Sequence, residues 1–136
     1  MLDLIPHREP FLWIDRVEEI EAGLRCVASK FVDPAEPFFA GHFPGRPLLP
    51  GVFVIEAVAQ TAGIMLASVA GAEEKEDPPL LAAVNHFKFL KVIRPGSRLR
   101  IETKTLTSVG RMFLVEGTVQ VEGEIVARGE LSLVGP

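Results

Sequence analysis

The chain has 136 residues, 48% of them apolar, with a formal net charge of −4 and a single cysteine. That length fits one domain over residues 1–136 with one real core. The acidic balance argues against a general nucleic-acid role, and the lone Cys26 excludes an intrachain disulfide.

Taken in chain order, the opening MLDLIPHREPF lacks the basic start and long apolar run of a signal peptide, so a cytoplasmic location is expected. Residues 11–20 (FLWIDRVEEI) predict a strand, followed by a turn at 21–23. Residues 24–32 alternate and predict its partner, with Cys26 a small buried hydrophobe. Next comes PFFAGHFPGRPLLPGVFVIEAVAQ, residues 37–60, whose four prolines and three glycines fix a rigid, irregular loop. It runs into an almost wholly apolar helical pattern that starts at Gly51 or Val52, just after Pro50, and ends near Gly71. Residues 52–72 are long enough to span a membrane. However, Glu56 and Gln60 interrupt them, the second half is mostly Ala, Gly, Ser and Thr, and no basic flank follows, so the prediction is a buried helix and no membrane span. Residues 73–79 predict a charged, exposed loop. Residues 81–93 predict a strand stopped by Pro95-Gly96, and residues 98–108, 112–122 and 124–134 predict three more, with turns at Val109-Gly110 and Gly123. There is no repeat or low-complexity segment. The order predicts an α+β domain in which a curved antiparallel sheet of about six strands wraps one long apolar helix. So apolar a small chain also points to surface hidden in an oligomer.

A lone carboxylate in an apolar helix must be neutralised, paired or put to use. Here it is Glu56, and His42 stands on the stiff loop just before it. HREPFLWIDRV, EPFFAGHFPGRPLLPGVFVIEAVAQ and FKFLKVIRPGSRL together resemble the beta-hydroxyacyl-acyl carrier protein dehydratases of fatty-acid synthesis (the FabZ-like family), which have the hotdog fold. The resemblance covers nearly the whole chain. It implies dehydration of (3R)-hydroxyacyl-acyl carrier protein to trans-2-enoyl-acyl carrier protein without metal or redox cofactor, the substrate riding on a phosphopantetheine arm. It also implies a homodimer, with a trimer of dimers as the larger assembly, in which each site takes its His from one subunit and its Glu from the other.

By that resemblance His42 removes the proton next to the thioester carbonyl; the alternative is a structural histidine bonded to backbone. Glu56, raised toward its protonated form by Val52, Phe53, Ile55, Val58 and Ala59, donates to the departing beta-hydroxyl; the alternative is a carboxylate paired with arginine. Some relatives that also isomerise the product carry Asp there, so Glu56 points to the plain dehydratase branch. Gly51 offers its backbone N–H at the helix N-terminus to the thioester oxygen, or is simply a helix-entry glycine. Gln60, one turn beyond Glu56, reads as a partner for that acid or for a water. Phe43, Phe38, Phe39 and Leu49 line the acyl tunnel or are ordinary core. Lys88, Lys91, Arg94, Arg98 and Arg100, with no acid between Phe87 and Ile101, either dock an acidic carrier protein or form a solvated strand face. His7 and His86 share no metal-ligand spacing with each other or with Cys26 and read as structural. Three departures bear on substrate range and gating: Asn85 where relatives often have Asp, Glu9 after His7-Arg8, and no tyrosine where several relatives gate the tunnel. The rival activities are a hotdog acyl thioesterase, which lacks the His-containing FPG loop, and a hydratase on coenzyme A esters, which places the acid before the His. A non-catalytic acyl-binding homologue is the third rival, against which His42, Gly51 and Glu56 argue together.

Overall fold

A computed structural model describes residues 1–69 and 77–135. Six strands, β1 (Arg16–Glu21), β2 (Arg25–Phe31), β3 (Leu80–Phe89), β4 (Arg98–Val109), β5 (Met112–Val121) and β6 (Glu124–Val134), form one antiparallel sheet in the order β1-β2-β4-β5-β6-β3. The sheet packs on a single long helix, α1 (Gly51–Ala67), and short 3-10 turns occupy Leu2–Leu4 and Pro37–Ala40. This is the hotdog architecture expected from the sequence.

The boundaries differ in three places, each for a visible reason. The strand expected over residues 11–20 begins only at Arg16. Before it, the Phe11 and Leu12 amides turn back to the Arg8 carbonyl at 2.8 and 3.0 Å, and the Trp13 amide donates to Gln60 of the helix instead of to a neighbouring strand. The strand expected over residues 81–93 ends at Phe89, because the Leu90 and Lys91 amides both converge on the Val126 carbonyl and take the chain off the sheet edge. That exit carries Ile93 to the loop before α1, where its carbonyl accepts the Leu49 amide at 2.8 Å. The helix ends at Ala67, with the Ser68 hydroxyl donating to the Met65 carbonyl at 2.6 Å, earlier than the expected end near Gly71. Gly71 and residues 73–76 of the expected loop lie outside the described residues.

The core lies between the concave face of the sheet and the helix. Val54, Ala57, Val58, Ala62, Ile64 and Met65 of α1 meet Cys26, Ala28, Leu99, Ile101, Val115, Val119 and Leu131 of the sheet. Burial at this density, near 25 cal/mol per Å² of apolar surface, is the main term holding sheet to helix. Every residue from Cys26 to Lys30 is buried, more than an alternating strand requires. The polar members are paired: Ser29 donates to Glu18 at 2.8 Å, and the Lys30 ammonium lies 3.2 Å from Asp15 and 4.4 Å above the Trp13 ring. Burial pushes the Cys26 thiol up to about 11, which makes it an inert core residue as expected.

Candidate active site

The proline- and glycine-rich loop closes on itself around His42. Leu48 donates to the His42 carbonyl at 2.9 Å, Phe43 and Arg46 exchange backbone hydrogen bonds at 3.2 and 2.9 Å, and Gly45 takes a φ of +73°, which only glycine adopts cheaply. The imidazole is half-buried, and its Nδ1 lies 2.9 Å from the Leu48 carbonyl oxygen. A carbonyl can only accept, so Nδ1 carries the proton. In the neutral ring Nε2 then holds the free lone pair, ready to take a proton. The backbone bond fixes the ring whether His42 is structural or catalytic. Phe43 stacks on it with ring centroids 4.1 Å apart, and 52% of Phe43 remains exposed.

Glu56 lies in the second turn of α1. Burial pushes its carboxyl above the ordinary value, opposed by a hydrogen bond from Gln60 and by the charge of His7. No ion pair with arginine forms among the described residues, so the reading of Glu56 as a carboxylate paired with arginine is not met, and the carboxyl holds its proton more tightly than an exposed one. Gln60 is fully buried. Its Oε1 accepts the Trp13 amide at 2.7 Å, while its Nε2 donates to the Phe11 carbonyl at 2.9 Å and reaches Glu56 Oε2 at 3.5 Å. Gln60 thus moors the helix to the segment before β1 and uses its remaining donor capacity on Glu56. A cavity of about 250 Å³ opens beside the acid. It is lined by Ile5, Pro6 and His7 from the N-terminal segment, Ala59 and Gly63 of α1, the stretch Pro78–Leu81, and Leu133.

Gly51 is the first residue of α1, and its amide has no hydrogen-bond partner among the described residues. The Phe89 ring lies so close that a Cβ at Gly51 would stand 2.9 Å from it, which explains glycine at this position. A free first-turn N–H is a ready donor to a developing oxyanion.

The remaining candidates divide. In the Pro37–Ala40 turn, Phe38 stacks on Phe53 at 4.6 Å and tilts against Trp13 at 5.8 Å, Phe39 packs on Phe38 at 4.6 Å, and both belong with Leu49 to the hydrophobic core and its margin. None of the three lines the Glu56 cavity, and neither does Phe43. Within the chain, no hydrogen bond joins His42 to Glu56 among the described residues, and His42 does not line the cavity that Glu56 opens into. The basic run is partly neutralised. Lys91 pairs with Glu124, and Arg100 lies 3.7 Å from Glu102 and 3.9 Å from Glu19. Arg98 sits over the Phe31 ring at 5.5 Å, while Lys88 and Arg94 form no ion pair among the described residues. Two residues that pattern reading missed join these groups. His7, read as structural, lines the Glu56 cavity, and Arg128 of β6 stands directly opposite Lys88. Asn85 is half-buried opposite Glu130, and no cluster of three or more His, Cys, Asp or Glu able to hold a metal occurs among the described residues. No helix among them is long and apolar enough to cross a membrane.

Residues 5–130 match the FabA-like domain family. The chain is 43% identical over 131 residues to a 3-hydroxyacyl-(acyl-carrier-protein) dehydratase FabZ of Geotalea uraniireducens, covering 96% of this chain and 90% of that protein. It is 45% identical over 133 residues to the protein of the same name from Caldanaerobacter subterraneus subsp. tengcongensis, covering 96% and 92%. Among solved structures, the dehydratase heterocomplex ApeI:P of Xenorhabdus doucetiae superposes with a TM-score of 0.81 at 20% identity, over 99% of this chain and 90% of that one, a likeness of fold.

Proposed function

This chain belongs to the FabA-like domain family, and from that membership we propose that residues 1–136 act as one domain that dehydrates (3R)-hydroxyacyl thioesters on acyl carrier protein to trans-2-enoyl thioesters. His42 Nε2 takes the proton from the carbon next to the thioester carbonyl. The electron pair released moves toward the carbonyl, and the Gly51 N–H stabilises the charge on its oxygen. The C–O bond to the beta-hydroxyl then breaks as Glu56 gives it a proton, so that water leaves and the double bond forms. Both protons move between side chains and substrate, so the chemistry needs no metal or redox cofactor. The observation that carries this reading is the pairing of opposite tunings: a histidine whose Nε2 is left free by its bond to Leu48, and an acid that burial drives toward its neutral form.

The assembly is proposed to be a homodimer, or three such dimers, because within one chain His42 does not line the cavity beside Glu56. The site closes if His42 of one subunit meets Glu56 of the partner subunit. The sheet has two edges, and they differ. β1 presents Arg16, Glu18, Glu19 and Glu21, a charged edge that discourages pairing, while β3 presents exposed Leu80, Leu81, Val84 and Phe89. β3 is therefore the edge offered to a second copy. Docking of an acidic carrier falls to Lys88, Arg94 and Arg98, with Lys91 and Arg100 already engaged by acids. Lys88 and Arg128 stand opposite one another across β3 and β6, an unfavourable like-charge pair that an acidic partner would relieve. The cytoplasm is the proposed location.

A reversible hydration assay with crotonyl and longer enoyl thioesters, on acyl carrier protein and on coenzyme A, tests the reading. The wild type is expected to interconvert enoyl and 3-hydroxyacyl thioesters, and His42→Ala and Glu56→Gln to fold yet lose on the order of a hundredfold or more in turnover. Release of free thiol by the wild type would make it a thioesterase, and absence of any turnover would make it a binding protein.

A further inference from the structure

Among the described residues that line the cavity beside Glu56, only one other can titrate. Ile5 and Pro6 face it from the N-terminal segment, Ala59 and Gly63 from α1, Pro78 and Pro79 from just before β3, Leu80 and Leu81 from its start, and Leu133 from β6; the exception is His7. Gln60 on the helix adds a neutral amide at 3.5 Å. The Nδ1 atom of His7 is buried and has no hydrogen-bond partner among the described residues. A buried, unpaired ring nitrogen costs free energy unless a neighbouring group turns to satisfy it. The ring is held in place by stacking on Phe11, centroids 6.0 Å apart, and the Phe11 carbonyl is itself held by Gln60, the residue that also bonds Glu56. Imidazole, amide and carboxyl are thus fixed on one short piece of scaffold.

We propose that His7 is a positioning residue for Glu56, whose imidazole faces the carboxylate left behind when Glu56 gives its proton to the departing hydroxyl. This rests on the acid role proposed for Glu56. Giving up that proton creates a negative charge in a space otherwise walled by apolar side chains, where it is strongly disfavoured. The proton, the electron pair and the water balance as in the dehydration above; His7 adds no bond-making step. Its ring offers the new carboxylate a hydrogen bond and, when protonated, an opposite charge. In the assembled site the only other ionisable group of the reaction is His42, contributed across the subunit boundary.

Three measurements test this. In His7→Leu the turnover should fall about tenfold, and the ionisation of Glu56 seen in the pH profile of kcat/KM should move up by about half a pH unit or more, since an opposing charge has been removed. His7→Asn keeps a donor near the Nδ1 position without the charge, so it should recover part of the turnover but keep the shifted profile. Coupling is reciprocal, so in Glu56→Gln the His7 ring ¹⁵N resonances should move from their wild-type positions, read by NMR of the three ¹⁵N-labelled histidines. That last measurement stands even if neither His7 variant folds. Unchanged pH profiles in both His7 variants, or unmoved His7 ring resonances in Glu56→Gln, would overturn the assignment. Normal dehydration by Glu56→Gln would instead remove the acid role itself, a different failure.

Discussion

Glu56 is where burial and function meet on a single side chain. Its carboxyl is raised above the ordinary value, so the folded state holds this proton more tightly than the unfolded chain does. The neutral form therefore supports folding at low pH, and that support is lost as pH climbs from the ordinary carboxyl value through the raised one. Glu56→Gln has the same shape and no such titration. The two proteins should melt together at pH 4 and below, and the variant should be the more stable at neutral pH, by no more than about 1 kcal/mol because the carboxyl is only half-buried and solvent screens it. The carboxyls of Asp3, Glu18 and Glu102, all held below their ordinary values, are common to both proteins and cancel in the difference. Parallel melting curves at every pH would mean that Glu56 is not desolvated. At this scale the sequence was a good guide to Glu56, because one acid among apolar neighbours has few options. It was a poor guide to His7. That residue reaches the Glu56 cavity through a turn at residues 8–12 and a bond from Gln60, neither of which leaves a periodic trace.

At the scale of elements, two facing glycines of β5 and β6 set two close approaches, that of the helix to β5 at Gly117 and that of β3 to β6 at Gly129. Gly117 and Gly129 are register partners. A Cβ at Gly117 would lie 2.4 Å from Val58 Cγ1 of the helix, and one at Gly129 would lie 2.5 Å from the Phe87 Cα of β3. The first clash is with a side chain alone, the second with backbone as well as side chain. Gly117→Ala should therefore cost about 1–3 kcal/mol by overpacking, and far less in a Val58→Ala background, a coupling measurable by denaturant melts of the four proteins. Gly129→Ala should cost at least as much, and trimming Phe87 should not relieve it. Additive losses at Gly117 and Val58 would show that the helix shifts freely over the sheet. Strand count, order of elements and the helix start could be read from the sequence because alternation, proline and glycine are local signals. The late start of β1 and the early end of β3 could not, because each depends on a carbonyl or an amide acceptor brought from a distant element, Gln60 in one case and Val126 in the other.

At the scale of the whole molecule, a site shared between subunits, proposed because His42 does not line the Glu56 cavity, makes a prediction that a self-contained site does not. If each site takes its histidine from one subunit and its acid from the other, His42→Ala and Glu56→Gln homodimers are both dead. Mixed, unfolded and refolded together, they form heterodimers in which one site carries both lesions and the other carries none. Random pairing gives half heterodimers, each with one sound site of two, so about a quarter of the wild-type activity per chain should return. With both groups drawn from one chain, every site in the mixture keeps a lesion and no activity returns. Charging the β3 edge should cut the recovery at its root: Val84→Lys places a cation on the exposed apolar edge while leaving His42, Gly51 and Glu56 untouched. That variant should show a monomer mass by light scattering and lose turnover in proportion to the dimer lost, with the remaining activity rising with protein concentration. A fully active Val84→Lys monomer would place base and acid within one chain and end the shared-site account.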